Sequence, residues 1–376
     1  MRLVVATDKW RGAFSSREAG AALASGVRGA APDAEVSVVE VADGGEGTLD
    51  AVLARVAGER RRACVADPLG RAVEAPWAVL ADGTALIESA AAIGHALLAP
   101  GERDPLRASS RGVGELVRAA LDGGCERLWL ALGGSVTVDG GAGFAQALGF
   151  RLLDRRGREI DPGGGALVEV AAIDSAARDS RLAGLRVDAW CDVGNPLVGE
   201  RGAARVFGPQ KGAGPEAVER LEEGLARFGA VIQRELGVRV LDVESAGAAG
   251  GLGAAALAFA GARLELGATC VLDAISFEPL VTGVDLVVTG EGRFDGSTMP
   301  GKLPLVVATR AAKLGIPTIL ACGEDVSGGT GHGAVVHVLS GSDLKRASGA
   351  RLSAVDLAAL GALAVDLVRQ RAAARR

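Results

Sequence analysis

Tyrosine is absent from this chain of 376 residues, and aromatic residues together make up only 3% of it. Alanine, valine and leucine must therefore fill the core. So few rings argue against nucleic-acid recognition by base stacking, which needs aromatic platforms. A basic footprint is missing as well. The net charge is -5, and no dense basic block occurs before the last few residues. Histidine is scarce, and His95, His332 and His337 show no metal-ligand spacing. The five cysteines, Cys64, Cys125, Cys191, Cys270 and Cys322, are scattered and lack CxxC or Cys/His patterns. That usage fits reduced, mostly buried thiols in a cytoplasmic protein. No secretory apolar region is seen near Met1. The longest uncharged run, Ser245 to Ala262, is interrupted by five glycines. It reads as a loop leading into a buried small-residue helix, not as a membrane span. Ser–His–Asp catalysis has no nucleophile elbow to stand on.

What is present is a packed globular composition, 49% hydrophobic and 23% charged. The length favours about two domains. Strand-like runs at Leu3–Ala6, Glu35–Val41, Leu128–Leu132, Leu286–Thr289, Thr318–Ala321 and Ala334–Val338 alternate with helix-like runs, the mark of an α/β protein. Ser15 and Glu18 make a capping box for a first helix. A last helix starts near Ser353 with a stripe of Leu357, Leu360, Leu363 and Leu367. Another helix is expected at Pro215–Leu236. Residues 60–105 and 150–282 have a different texture of short β-like pieces and Gly clusters. The expectation is a discontinuous α/β domain of residues 1–59 and 283–376, interrupted by an inserted α/β domain of residues 60–282. Whether 106–149 join the first or the second is open.

Six segments join small residues to charges, often just after a strand. Asp8-Lys9-Trp10-Arg11-Gly12 follows the first strand, where open α/β sheets bind ligands. In Asp43-Gly44-Gly45-Glu46-Gly47-Thr48, three glycines let a ligand approach the backbone, and two acids supply hard oxygen ligands or a base. Gly133-Gly134-Ser135-Val136-Thr137-Val138-Asp139-Gly140-Gly141 continues to Gly143, with a helix expected through Gln146 to Leu148. Its N–H groups and hydroxyls suit an anion cradle, and Asp139 suits a metal or a hydroxyl. Asp192 and Asn195 place a carboxylate and an amide after an apolar run, with Gln210 and Lys211 in a Pro/Gly turn downstream. Lys211 is either an anion contact or a solvated surface lysine. Gly247 to Gly253 is either an anion site or close helix packing. The sixth segment carries Glu291, Asp295 and Lys302 after the strand at Leu286. Gly296 to Lys302 is nearly a P-loop, but Leu303 stands where the magnesium hydroxyl belongs, so the Walker reading is rejected.

These segments, in this order, resemble the bacterial type-1 glycerate kinase family. The stretches are ADGGEGT at Ala42–Thr48, DPL at Asp104–Leu106, SRGVGEL at Ser110–Leu116, GGSVTVDGGAGF at Gly133–Phe144, DVGNPLVG at Asp192–Gly199, FGPQKGA at Phe207–Ala213, GAAGGLGA at Gly247–Ala254 and TGEGRFDG…GK at Thr289–Lys302. The resemblance covers roughly Leu3 to Cys322. It implies a Rossmann-like domain plus a second α/β domain with the active-site cleft between them. It implies ATP-dependent phosphorylation of D-glycerate, at the 2-hydroxyl, to 2-phosphoglycerate, with Mg2+. Phosphoryl transfer needs backbone cradles, cations over the moving phosphate, carboxylates for metal and a base beside the hydroxyl.

On that reading, Gly133, Gly134, Ser135, Thr137, Asp139, Gly140, Gly141 and Lys302 handle the nucleotide phosphates. Asp192, Glu291 and Asp295 are candidates for Mg2+. Arg11, Asn195, Gln210 and Lys211 face the acceptor. Asp8, Arg11, Asp43, Asp192, Lys211 and Asp295 are the catalytic candidates. Two positions depart from the family. Arg11 stands where Lys is usual, and Val138 where Asn is usual, so either that amide is dispensable or the acceptor differs. A kinase for another short hydroxy acid, and a non-catalytic nucleotide- or metabolite-binding relative, are the competing readings. The sequence leaves the oligomeric state open, a homodimer included.

Overall fold

The computed structural model describes residues 1–10, 12–294, 301–325, 334–344 and 352–374. Arg11 and Asp295 lie outside the described residues. The chain divides into two compact units. One comprises Met1–Asp43, Asp50–Arg55 and Ala268–Arg376, and the other Gly44–Leu49 and Val56–Gly267. Residues 106–149 thus fall in the second unit.

The first unit is built on a five-stranded sheet. Its order is Val335–Leu339, Thr318–Asp325, Leu286–Phe294, Arg2–Thr7, Glu35–Val38, with every pairing parallel. A parallel sheet is covered on both faces, so its strands read as continuous apolar runs. Leu3 and Val5 pack with Leu23, Leu357 and Leu360 on one face, while Val4 and Ala6 pack with Leu272, Phe277 and Val307 on the other. The helices Ser16–Ala30 and Ala354–Ala374 meet through glycine. A Cβ on Gly26 would lie 1.6 Å from the Ala358 carbonyl oxygen, and one on Gly361 would lie 2.1 Å from that of Leu23. The capping box is present: Ser15 Oγ accepts from Glu18 N, and the Glu18 carboxylate accepts from Ser15 N.

The second unit holds a mixed six-stranded sheet, ordered Arg263–Leu266, Arg186–Cys191, Arg127–Leu132, Ala85–Glu88, Ala72–Leu80, Gly58–Ala66. The first three pairings are parallel and the last two antiparallel. Its core includes Leu130, Phe144, Leu225, Phe228, Ile232 and Leu252. A two-stranded ribbon of Arg151–Leu153 and Ala172–Asp174 accompanies it.

The architecture is α/β with parallel sheets, as the alternation of strands and helices implied, and helix Pro215–Leu236 has the expected bounds. Several details differ. The strand from Leu286 runs on to Phe294, so Glu291 is in a strand and not a loop, because pairing continues through Arg293 opposite Glu324 and Phe294 opposite Asp325. The second strand stops at Val38. The nine-residue strands Gly58–Ala66 and Ala72–Leu80 replace the short β-like pieces expected there. Their pattern is weak because Gly58–Ala66 is an edge strand carrying three exposed or half-buried arginines. The helix after the third segment spans Ala142–Ala147, starting inside the Gly run. Gly247 to Gly253 belongs largely to helix Ala248–Ala260, with left-handed backbone at Ala249, Gly250 and Gly251. Close packing explains those glycines: a Cβ on Gly250 would lie 1.9 Å from the Thr137 carbonyl oxygen. Among the described residues the cysteines form no disulfide, and Cys125, Cys191 and Cys322 are buried. No helix among the described residues is long and apolar enough to cross a membrane.

Candidate active site

In the first unit, Thr7 pairs with Gly290 across neighbouring parallel strands, which brings Asp8 and Glu291 to the same C-terminal sheet edge. This is where the strand order turns from one side of the first strand to the other, the crevice at which open α/β sheets bind ligands. Asp8 N donates to the Gly290 carbonyl, and Thr7 Oγ1 donates to the same oxygen. Trp10 Nε1 caps Thr7 Oγ1 at 3.1 Å. Asp43 follows the strand on the other side and pairs with Lys9 Nζ at 3.3 Å. Asp8 is buried and accepts from Lys9 N at 2.7 Å. Burial first, and the charge of Asp43 next, push its carboxyl up to about 8 against the pull of Lys9, with Glu291 adding to the rise. Two like-charged neighbours around a desolvated acid make a site that favours a proton or a cation. Lys302 caps helix Leu303–Lys313, which has Pro304 in its first turn.

In the second unit, three adjacent parallel strands end together at Glu88, Leu132 and Cys191. The Gly133 loop, Ser89 and Asp192 leave from those ends. Ser89 Oγ bonds both the N–H and the carbonyl of Gly133. A Cβ on Gly133 would meet Gly45 Cα at 2.9 Å, so the second and third segments touch backbone to backbone.

Lys211 comes to this loop from the turn Pro209–Lys211. It is only 3% exposed, which rules out the surface-lysine reading. Its Nζ donates to Ser135 Oγ at 2.9 Å and to the Thr137 carbonyl at 2.8 Å. Burial pushes the ammonium down to about 7, and the charge of Asp139 opposes that fall. Thr137 Oγ1 is buried beside it with no hydrogen-bond partner among the described residues. Gln210, its neighbour in sequence, is exposed.

Asp139 is fully buried and accepts from Ser110 N, Ser110 Oγ, Gly141 N and Gly143 N. Gly140 N donates to Gly250 O. The N–H groups at 140, 141 and 143 therefore serve the protein's own oxygens, as Gly133 N serves Ser89 Oγ and Val136 N serves Ile93 O, which narrows any anion cradle to Gly134, Ser135 and Thr137. Val138 has no exposed surface and sits in the apolar core. Asn195 donates its side-chain amide to Arg201 O and so closes its own loop, while Asp192 is half-buried at the strand end. Ser110 and Ser89 are hydrogen-bonding neighbours of Asp139 and Gly133 that spacing did not reveal. Ser110 lies inside the SRGVGEL stretch, but nothing in the sequence ties it to Asp139.

Comparison with known proteins shows the family. The model of the Glycerate kinase family matches residues 3–341. The glycerate kinase of Bacillus subtilis (strain 168) is 45% identical over 325 residues, covering 86% of this chain and 85% of the relative. The glycerate 2-kinase of Escherichia coli (strain K12) gives the same identity and coverage. The crystal structure of a Salmonella typhimurium LT2 chain assigned as glycerate kinase 2 superposes with a TM-score of 0.80 at 40% identity, covering 100% of this chain and 99% of that one. The chain belongs to the glycerate kinase family.

Proposed function

We propose that this enzyme transfers the γ-phosphoryl group of ATP to the 2-hydroxyl of D-glycerate, giving 2-phosphoglycerate and ADP. The observation that carries the reading is the buried Lys211 ammonium set into the Gly133–Thr137 loop. Its two protein acceptors leave a third N–H for an oxyanion of the acceptor or of the moving phosphoryl group. Such a fixed cation in a dry site stabilises transition-state charge far better than one in water. The names of the B. subtilis and E. coli relatives support the same substrate.

In the reaction the glycerate oxygen forms a bond to phosphorus as the bond to the ADP oxygen breaks. The hydroxyl proton must leave, and Asp8 is the acceptor we assign to it, because its raised pKa makes it a stronger base than an ordinary carboxylate. Lys9 and Asp43 hold the flank of that site. Mg2+ fits the same acid-rich edge. Burial first, and the repulsion of Asp43 and Glu291 next, lift Asp8; a divalent cation relieves that repulsion, and Mg2+ ordinarily takes one or two protein carboxylates with phosphate oxygens and water. With Asp8 kept as the base, Asp43 and Glu291 are the groups that would hold it, and when bound it would neutralise phosphate charge. Lys302, at its helix start, is assigned to the nucleotide phosphates.

The burial of Val138 favours glycerate over a different hydroxy acid. The departure sits in the core, where a valine needs no partner and does not shape an acceptor pocket. The test is to mix purified protein, D-glycerate and MgATP, follow ADP release, and identify the product by 31P NMR. ADP formation with 2-phosphoglycerate is expected. No ADP above the ATP-only control overturns the proposal.

A further inference from the structure

We propose that Asp139 is a positioning residue for phosphoryl transfer, the buried counterion that holds the Lys211 ammonium on the Ser135 and Thr137 oxygens. The inference rests on the reading of Lys211 as the oxyanion-binding group. It begins with the hydrogen bonds of the carboxyl group. Oδ2 receives Ser110 N at 2.7 Å, Ser110 Oγ at 2.8 Å and Gly143 N at 3.1 Å, and Oδ1 receives Gly141 N at 3.1 Å. All four partners donate. Three of them are backbone N–H groups, which can only donate, and Ser110 Oγ in turn accepts from Phe144 N. A carboxylate accepts all four bonds without rearrangement, so the pocket favours the anion against a burial that raises the pKa.

Lys211 needs such an anion. Its ammonium is buried, and the two oxygens it touches, a hydroxyl and a carbonyl, are neutral. A buried charge with only neutral partners is costly unless a counter-charge lies near. Asp139 is the charged group that acts on it, and the Thr137 carbonyl that holds it lies two residues before that carboxylate. The same carboxylate ties the loop to Ser110, the residue before helix Arg111–Asp122. Charge and backbone geometry at Lys211 thus both involve one fully buried side chain.

The plain alternative is that Asp139 only braces the loop. A thermal-melting cycle at neutral pH separates the two, using wild type, Asp139→Asn, Lys211→Met and the double variant. A counterion predicts that the double variant melts above Asp139→Asn alone, since removing the ammonium removes the unpaired charge. As a control, Ser15→Ala, at the exposed cap of helix Ser16–Ala30, combined with Lys211→Met should give melting losses that add. Additive losses in the Asp139/Lys211 pair overturn the proposal. If Asp139→Asn does not fold, folding of the double variant supports the counterion role. Failure of the double variant while Lys211→Met folds overturns it. None of these readouts needs turnover, so an inactive wild type would sink the proposed reaction and leave this test to be read separately.

Discussion

At the scale of single residues, the site depends on contacts that leave no room. Gly250 has a positive φ of 73°, and its α-carbon faces the Thr137 carbonyl that also holds Lys211. Gly250→Ala is expected to cost on the order of 3 kcal/mol through clash and backbone strain combined. Urea unfolding checks this, and a loss below about 1 kcal/mol would mean that the two segments are not locked together. Lys211 and Val138 show how far one sequence can be read at this scale. A lysine in a Pro/Gly turn looks the same whether it faces water or a pocket, and only the fold buries it. Val138 left open a dispensable amide or a changed acceptor, because the alternation of a loop does not say which side chains turn inward, and the fold places it in the core.

Elements follow local rules more closely. The first helix starts where Ser15 and Glu18 say it should, since the capping box is a contact between residues three apart. Ser15→Ala should lower stability by about 1 kcal/mol without altering the fold. Circular dichroism during thermal melting measures it, and an unchanged midpoint would show that tertiary packing alone sets the helix start. The buried parallel strands were legible because both faces are apolar. The arginine-bearing edge strand Gly58–Ala66 was not, because its pairing is fixed by Ala72–Leu80 and not by its own pattern. Glu291 was misplaced for the same reason. Its strand is prolonged by pairing with the strand Thr318–Asp325, which composition near Glu291 does not announce. The six-residue helix Ala142–Ala147 was expected to offer its first turn to an anion, but Asp139 already takes those donors.

At the scale of the whole molecule, the proposed reaction depends on two titrating groups, Asp8 and Lys211. Asp8 must lose its proton to act as a base, so activity should rise as pH climbs toward about 8. Lys211 must keep its proton to bind an oxyanion, so activity should fall as pH climbs past about 7. The two limbs overlap in the free enzyme, and kcat/KM should peak near about pH 7.5, midway between them. Raising Mg2+ should move the acid limb to lower pH, because a nearby divalent cation favours the Asp8 anion. An acid limb that ignores Mg2+ would separate Asp8 from the metal site. The collinear motifs made the family legible in the sequence, whereas the burial that tunes Asp8 and Lys211 is a property of the folded chain.

In the proposed reaction a buried lysine, Lys211 set into the Gly133–Thr137 loop, handles the charge of the moving phosphoryl group or the acceptor. Steady-state kinetics of Lys211→Met with D-glycerate and MgATP test that role most directly, with circular dichroism to confirm the fold. A fall in kcat/KM of at least about 100-fold is expected. A folded variant that keeps kcat/KM within about twofold of wild type would contradict it.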